Sequence, residues 1–157
     1  MCEYCGCQDV PAIAQLTSEH DEIRAVARDA SLAARADDHP AAVLAAQRLL
    51  ELLEPHTAVE ERGLFPAMAG EFAEHVASLE SDHQRIEGAL EEIASGRESP
   101  AGWAELLDTA VTGLFEHILR EQDGLFPASL SVLTPQQWDV LADVRVEIQA
   151  RQQSLAT

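Results

Sequence analysis

Basic residues are scarce in this chain. Its 157 residues hold 10 Lys and Arg against 28 Asp and Glu, a formal charge of −18. A surface that acidic repels phosphate backbones and anionic lipid, so neither nucleic acid nor a membrane is an expected partner. It concentrates cations near the protein, although acidic residues serve solubility equally well. Long apolar runs are missing too, and no segment approaches the roughly 18–20 residues that cross a bilayer. The first residues, Met-Cys-Glu-Tyr-Cys, carry neither a basic nor an apolar stretch, so no secretory leader is read there and a cytoplasmic location is expected. Aromatic residues make up only 4%, while Ala, Leu and Val are plentiful, which suits helices packed on helices. No nucleophile triad and no phosphate-cradling Gly-rich loop occurs, which leaves hydrolase and kinase readings without support.

What is present is a repeat. His56 to Ala67 reads HTAVEERGLFPA, and His117 to Ala128, sixty-one positions on, reads HILREQDGLFPA. The His, the Glu four residues later, and the Gly-Leu-Phe-Pro-Ala ending coincide. A His and a Glu at i and i+4 lie on one helix face with Cβ atoms roughly 5–6 Å apart, close enough for both to point at one metal ion. The repeat extends backwards: Leu16 to Arg24 reads LTSEHDEIR and Leu79 to Glu87 reads LESDHQRIE. The unit is therefore a helical hairpin, one helix with a single His and one with His-x-x-x-Glu. Two copies of such a half-site are the sequence form expected of a pseudo-twofold, two-metal centre.

Helix punctuation supports this organisation. Pro11, Pro100 and Pro135 stand at or near first helical positions, the latter two behind Ser99 and Thr134. Helices are expected over about 11–37, 40–64, 71–95, 101–126 and 135–153, the breaks falling at Asp38-His39-Pro40, Pro66 to Gly70, Ser95-Gly96 and Pro127. A kink is expected at Pro55, just before His56. The chain divides into a cysteine-rich tail (1–10), a four-helix unit (11–130) and a short C-terminal helix packing on it (131–157).

Apolar positions fall on stripes: Ile13, Leu16, His20, Ile23 and Ala27; Leu49, Leu52, Leu53, His56 and Glu60; Val76, Leu79, His83, Ile86 and Leu90; Ala110, Leu114, His117, Glu121 and Leu125. A carboxylate on such a stripe is costly to bury unless paired or metal-bound, and few cations are available for pairing. A lone core histidine is more often a packing residue than a ligand. Four at matched positions of a duplicated hairpin are hard to explain that way. His39 and His75 are expected bystanders. Glu61 and Glu87 are additional candidates, although the counterpart of Glu87 in the first hairpin is Arg24.

The order His, His-x-x-x-Glu-Glu, His, His-x-x-x-Glu, with Leu-Phe-Pro after each His-x-x-x-Glu, resembles the hemerythrin-like (HHE cation-binding) family over about residues 12–130. The resemblance implies an all-α, up-down four-helix bundle around a non-haem diiron centre. By it His20, His56, His83 and His117 are terminal ligands, Glu60 and Glu121 bridge the irons, and an oxo or hydroxo group joins them. The oxygen carriers of that family have a fifth histidine, four from another on the third helix; here Leu79 and Glu87 flank His83 at four. Their fourth-helix carboxylate stands five after the His, where this chain has Gln122. Two six-coordinate irons have twelve positions between them, and the implied set fills ten. An open position on each iron favours chemistry on a small bound molecule. The Glu-x-x-His motif of ferritin-like proteins occurs only at Glu80/His83, with Thr17, Leu53 and Leu114 at the other equivalent positions. Imidazole with carboxylate suits iron, manganese or zinc, and the resemblance selects iron.

Cys2, Cys5 and Cys7 form Cys-x-x-Cys-Gly-Cys around the only tyrosine, Tyr4. Three thiols cannot close a four-thiolate site. They are read either as a reduced tail or as a redox or metal-loading arm, with Tyr4 able to reach the centre only by folding back. Three functions stay open: turnover of hydrogen peroxide, dioxygen or nitric oxide, with peroxide favoured; carriage or sensing of dioxygen or nitric oxide; and iron storage. The electron donor is not specified by the sequence.

Overall fold

Pro11 opens the first helix, where its missing N–H is no loss. The computed structural model describes residues 6–97 and 101–155, and among these it is helical with no strand. Helix α1 spans Pro11–Arg35. It ends with Asp37 in the left-handed region and the N–H groups of Asp37 and Asp38 returned to the carbonyls of Ala34 and Ala33, which satisfies the last turn. Asp38 then caps α2, His39–Val59, by accepting from the Ala41 N–H at 3.1 Å. Helix α3 covers Phe65–Ala94 and α4 covers Trp103–Arg120. Neighbouring helices pack around a ring, α1 on α2, α2 on α3, α3 on α4 and α4 on α1, which is an up-down four-helix bundle. A short α5, Phe126–Val132, leads to α6, Pro135–Leu155, which lies across α1 and α2. No helix among the described residues is long and apolar enough to cross a membrane.

Two expected helix stops are corrected. The chain does not leave the helical path at Pro66 or Pro127. Instead it widens for one turn at Glu60–Leu64 and again at Glu121–Leu125, where the N–H of Phe65 bonds the carbonyl of Glu60 and the N–H of Phe126 that of Glu121. These are π turns. A proline has no N–H to give and its ring presses on the carbonyl four residues back; one extra residue in the turn relieves that clash and keeps the helix direction. The break before the main part of α3 falls later, at Phe72, with φ −124 and ψ 37. Helix α2 continues through Pro55 to Val59.

The expected stripes are the buried faces, Leu52 alone among them being only partly covered. They form two apolar cores. One joins Ile23, Leu49, Ile86, Leu90, Leu107 and Leu114 toward the α1–α2 and α3–α4 loops. The other joins Ile13, Leu16, Phe65, Met68, Phe126 and Leu141 around the π turns and α6. The histidines and glutamates of the repeat lie in the layer between the two.

Gly63, in the first π turn, faces Leu141 of α6. A Cβ there would meet Leu141 Cδ1 at 2.5 Å and Leu141 Cα at 3.5 Å, whereas one on its counterpart Gly124 meets only His75 Nε2 at 4.0 Å. Leu141 is buried and has little room to yield. Gly63→Ala is therefore expected to destabilise by about 1–3 kcal/mol through overpacking. Gly124→Ala should be neutral or gain up to about 1 kcal/mol from helix propensity. Urea unfolding of the two variants measures the difference, and equal effects would show that the approach of Leu141 is not what requires a glycine at 63.

Candidate metal centre

Helical spacing puts each repeat Glu one turn beyond its His, and the bundle then turns all six side chains inward. His20, Glu60 and Glu121 are fully buried, and His56, His83 and His117 nearly so. Glu60 Oε1 lies 3.3 Å from His56 Nε2 on its own hairpin, and Oε2 lies 3.4 Å from His83 Nε2 on the other. Glu121 does the same in reverse, 3.2 Å from His117 Nε2 and 3.2 Å from His20 Nε2. Donor atoms of His20, His56, Glu60 and Glu121 lie within 4.8 Å of one another, as do those of Glu60, His83, His117 and Glu121. The two carboxylates belong to both groups, so each spans the pair.

The donor set fits cations better than it fits itself. All four carboxylate oxygens of Glu60 and Glu121, and both nitrogens of His20, are buried without a hydrogen-bond partner. No guanidinium among the described residues pairs with either carboxylate. His83 Nε2 faces His117 Nε2 at 3.0 Å, and at most one of two facing nitrogens can donate. Two cations between the imidazoles and the carboxylates would satisfy the carboxylate oxygens and the Nε2 atoms of His20, His83 and His117 that face them.

A second set of residues holds the imidazoles from behind. His56 Nδ1 meets Glu19 Oε2 at 2.9 Å, and Arg145 of α6 grips the Glu19 carboxylate with both terminal nitrogens. His83 Nδ1 meets Glu61 Oε1 at 2.8 Å. His117 Nδ1 stands 3.6 Å from Asp82, which accepts from Arg120 at 2.6 Å and Arg85 at 2.9 Å. An Nδ1–H donated to a carboxylate leaves Nε2 bare and aimed at the centre. At 3.6 Å Asp82 is too far to accept from His117 Nδ1, and His20 Nδ1 has no carboxylate behind it; the pseudo-equivalent of Glu61 is Gln122, whose amide nitrogen is also buried without a partner. Phe65 of the first hairpin stacks on His83 of the second at 5.5 Å, and Phe126 of the second stacks on His20 of the first at 5.6 Å.

Of the additional candidates, Glu61 is 43% exposed and supports His83 from outside rather than joining the inward group. Glu87 lies 3.2 Å from the Thr57 hydroxyl, also outside that group. His39 opens α2 with its ring against Trp103, and His75 lies on α3 beside Gly124. Cys2, Tyr4 and Cys5 fall outside the described residues, and Cys7 begins a single 3-10 turn. Sequence reasoning missed Glu19, Asp82 and Arg145. The signal for the first two was an acidic residue directly before the single His in both copies, Ser-Glu-His and Ser-Asp-His. Arg145 has no counterpart in the repeat and left no signal.

Charge balance follows the geometry. Burial alone would lower the His83 imidazole, but the adjoining Glu60 carboxylate, with Glu61 and Glu121 behind it, overrides that and pushes it up to about 9. His56 is likewise raised: burial opposes, and Glu60, Glu19 and Glu121 outweigh it. Burial works to raise Glu121, yet His117 and His20 hold it well below the ordinary carboxylate range. Glu19 is lowered against its burial by His56 and Arg145, and Asp82 by its arginines and His117.

The Hemerythrin HHE cation binding domain profile matches residues 11–129. Comparison with curated proteins and with solved structures finds no match.

With its cations removed by chelation, the cluster should be held by imidazolium–carboxylate contacts, and its stability should depend on pH. His83, raised from 6.5 to about 9, contributes fully below pH 6.5, and that contribution is lost as pH rises through about 9. The metal-free protein should therefore be more stable at pH 6 than at pH 9.5, by roughly 1–3 kcal/mol at about 1.4 kcal/mol per unit of displacement. Glu121, displaced downward, removes stability as pH falls below its ordinary value. Urea midpoints across this range are the measurement, and a metal-free protein that gains stability above pH 8 contradicts the assignment.

Proposed function

The chain belongs to the hemerythrin HHE cation-binding family, and we propose that its buried cluster holds two iron ions and turns over hydrogen peroxide. In this reading His20 and His56 would hold one iron and His83 and His117 the other, with the Glu60 and Glu121 carboxylates shared between the two groups. The observation that carries it is the reach of each buried carboxylate to one histidine of its own hairpin and one of the other. An iron pair bound there supplies Lewis acidity and two-electron exchange without haem.

The residues supply the rest. Glu19 and Glu61 fix the imidazoles of His56 and His83 in the tautomer that presents Nε2 inward, and Asp82 adds a negative charge 3.6 Å behind His117. Leu, Ile and Phe side chains of the two apolar cores keep bulk water and larger molecules away. A cavity of about 10 Å³ lies against the four imidazoles, room for about one water, so large substrates have no place there. In the net reaction one peroxide gives up two electrons and two protons to become dioxygen. A second accepts them and its O–O bond breaks to give two waters, so no outside reductant is needed. Dioxygen and nitric oxide have two heavy atoms, as peroxide does, and reversible binding of either is the competing, non-catalytic reading.

Purified protein is expected to carry two irons per chain, with near-ultraviolet absorption of an oxo-bridged ferric pair, and to release oxygen from hydrogen peroxide. His117→Ala should abolish release, while joint substitution of Cys2, Cys5 and Cys7 leaves it intact. One metal per chain, or zinc alone after expression with ample iron, sinks the diiron assignment. Two irons with reversible dioxygen or nitric oxide binding and no oxygen release replaces the enzyme with a carrier or sensor.

Substitution separates inward ligands from their supports. Glu60→Ala or Glu121→Ala should lose metal and stability together, because binding to the folded state is part of the folding free energy. Glu19→Leu and Arg145→Leu should retain the fold and weaken metal binding about 10–100-fold. His39→Ala and His75→Ala should change neither. Metal content after graded chelator challenge measures all of these, and retention of two irons by Glu121→Ala removes that residue from the ligand set.

A further inference from the structure

The small cavity against the four imidazoles is walled mostly by Ile23, Leu53, Ile86, Leu114 and Ile118. Two of its lining residues, Thr57 and Glu87, are polar without belonging to the inward cluster. Outside, between α2 and α3, lies an open cleft of about 430 Å³ lined by Gln47, Leu50, Glu51, Glu54 and Glu91. The same Thr57 and Glu87 line this cleft as well. They thus stand between this cleft and the imidazoles, and no apolar residue lines both spaces. Toward the groove between α1, α2 and α6 the shared residue is instead the buried Ile23.

The contact between Thr57 and Glu87 rests on one hydroxyl proton. The Thr57 hydroxyl has one proton and two acceptors in reach, the Leu53 carbonyl at 3.0 Å and Glu87 Oε1 at 3.2 Å. A hydroxyl that turns wholly to Leu53 releases Glu87. Glu87 is half-buried on the edge of the open cleft, so its long side chain can swing outward into solvent. In front of it stand three more carboxylates, Glu51, Glu54 and Glu91, and Arg48, paired to Glu51 at 2.9 Å, offsets one of them. An anion approaching along this path meets like charge at each step, and a neutral molecule does not.

We propose that Thr57 and Glu87 form the gate by which small neutral molecules reach the cluster, and that the acidic cleft before them turns anions away. This rests on the diiron reading and narrows its substrates to hydrogen peroxide, dioxygen or nitric oxide, as against superoxide, nitrite or azide.

Rapid mixing tests the gate with two probes, nitric oxide on the diferrous protein and azide on the diferric protein, each followed by its absorption change. Glu87→Gln removes charge at constant size and should raise the azide association rate about tenfold while leaving nitric oxide within about twofold. Glu87→Phe fills the opening and should slow both probes about tenfold or more, as loss of a gating motion does. Glu22→Gln, in the groove between α1, α2 and α6, serves as the control and should alter neither. Iron content and the final absorbance amplitude are measured alongside. Unchanged rates in both Glu87 variants, with two irons and full amplitude, place the entrance elsewhere and overturn the gate while leaving the diiron reading intact. Absence of iron or of any probe-dependent absorption in the unsubstituted protein overturns the diiron reading, and the gate with it.

Discussion

Two carboxylates sit at the centre of this bundle with no guanidinium to meet them. Burying an unpaired carboxylate in a medium of low dielectric is among the least favourable acts in folding, and Glu60 and Glu121 are both fully enclosed. Their oxygens face imidazoles instead. Without cations, raised histidine pKa values supply the compensating charge; with cations, the imidazoles are neutral and the ions supply it. Either way the four helices must converge on one layer. That layer divides the apolar interior in two, and the Gly-Leu-Phe-Pro segments after each glutamate seal it from one side. The π turns belong to the same constraint, since each widened turn starts at the buried glutamate itself.

Pseudo-symmetry in the repeat explains most of the support around the cluster, and its failures are instructive. In the second hairpin Arg120, one residue before Glu121, reaches across to Asp82 behind His117. The corresponding residue of the first hairpin is Val59, which cannot. Helix α6 supplies the missing cation from outside the repeat, through Arg145 on Glu19 behind His56. A helix lying over only one hairpin therefore has a reason to be there. The opposite failure is at Gln122, where the first hairpin has Glu61: His20 is left without the carboxylate that His83 enjoys. The His20 imidazole is thus held by packing against Phe126 and His56, with no carboxylate behind its Nδ1.

The sequence made some of this legible and hid the rest for physical reasons. Side chains at i and i+4 share a helix face whatever the tertiary structure, so the His-x-x-x-Glu pairs and the apolar stripes around them could be read directly. Bundle topology followed because two copies of a half-site must face each other. Chain path at Pro66 and Pro127 was misread because proline's local preference is to end a helix, and a π turn is a non-local compromise that local preference does not reveal. The carboxylates behind the histidines were visible only as an acidic neighbourhood. Their partner Arg145 lies 126 residues from Glu19, a separation across which no periodicity carries information.

The acidic composition acquires a meaning once the positions are known. All ten basic residues are arginines, and those nearest the cluster, Arg145, Arg120 and Arg85, grip the carboxylates that orient histidines rather than the two that face inward. An arginine turned inward would fill the space between the imidazoles and satisfy Glu60 and Glu121 by itself, leaving nothing for a cation to do. Keeping guanidinium groups one layer out preserves the negative centre while neutralising the shell that positions it. The excess of carboxylates on the surface then has an electrostatic consequence for traffic: cations are gathered toward the bundle and anions are held off, with Glu87 at the point where that outer field meets the dry interior.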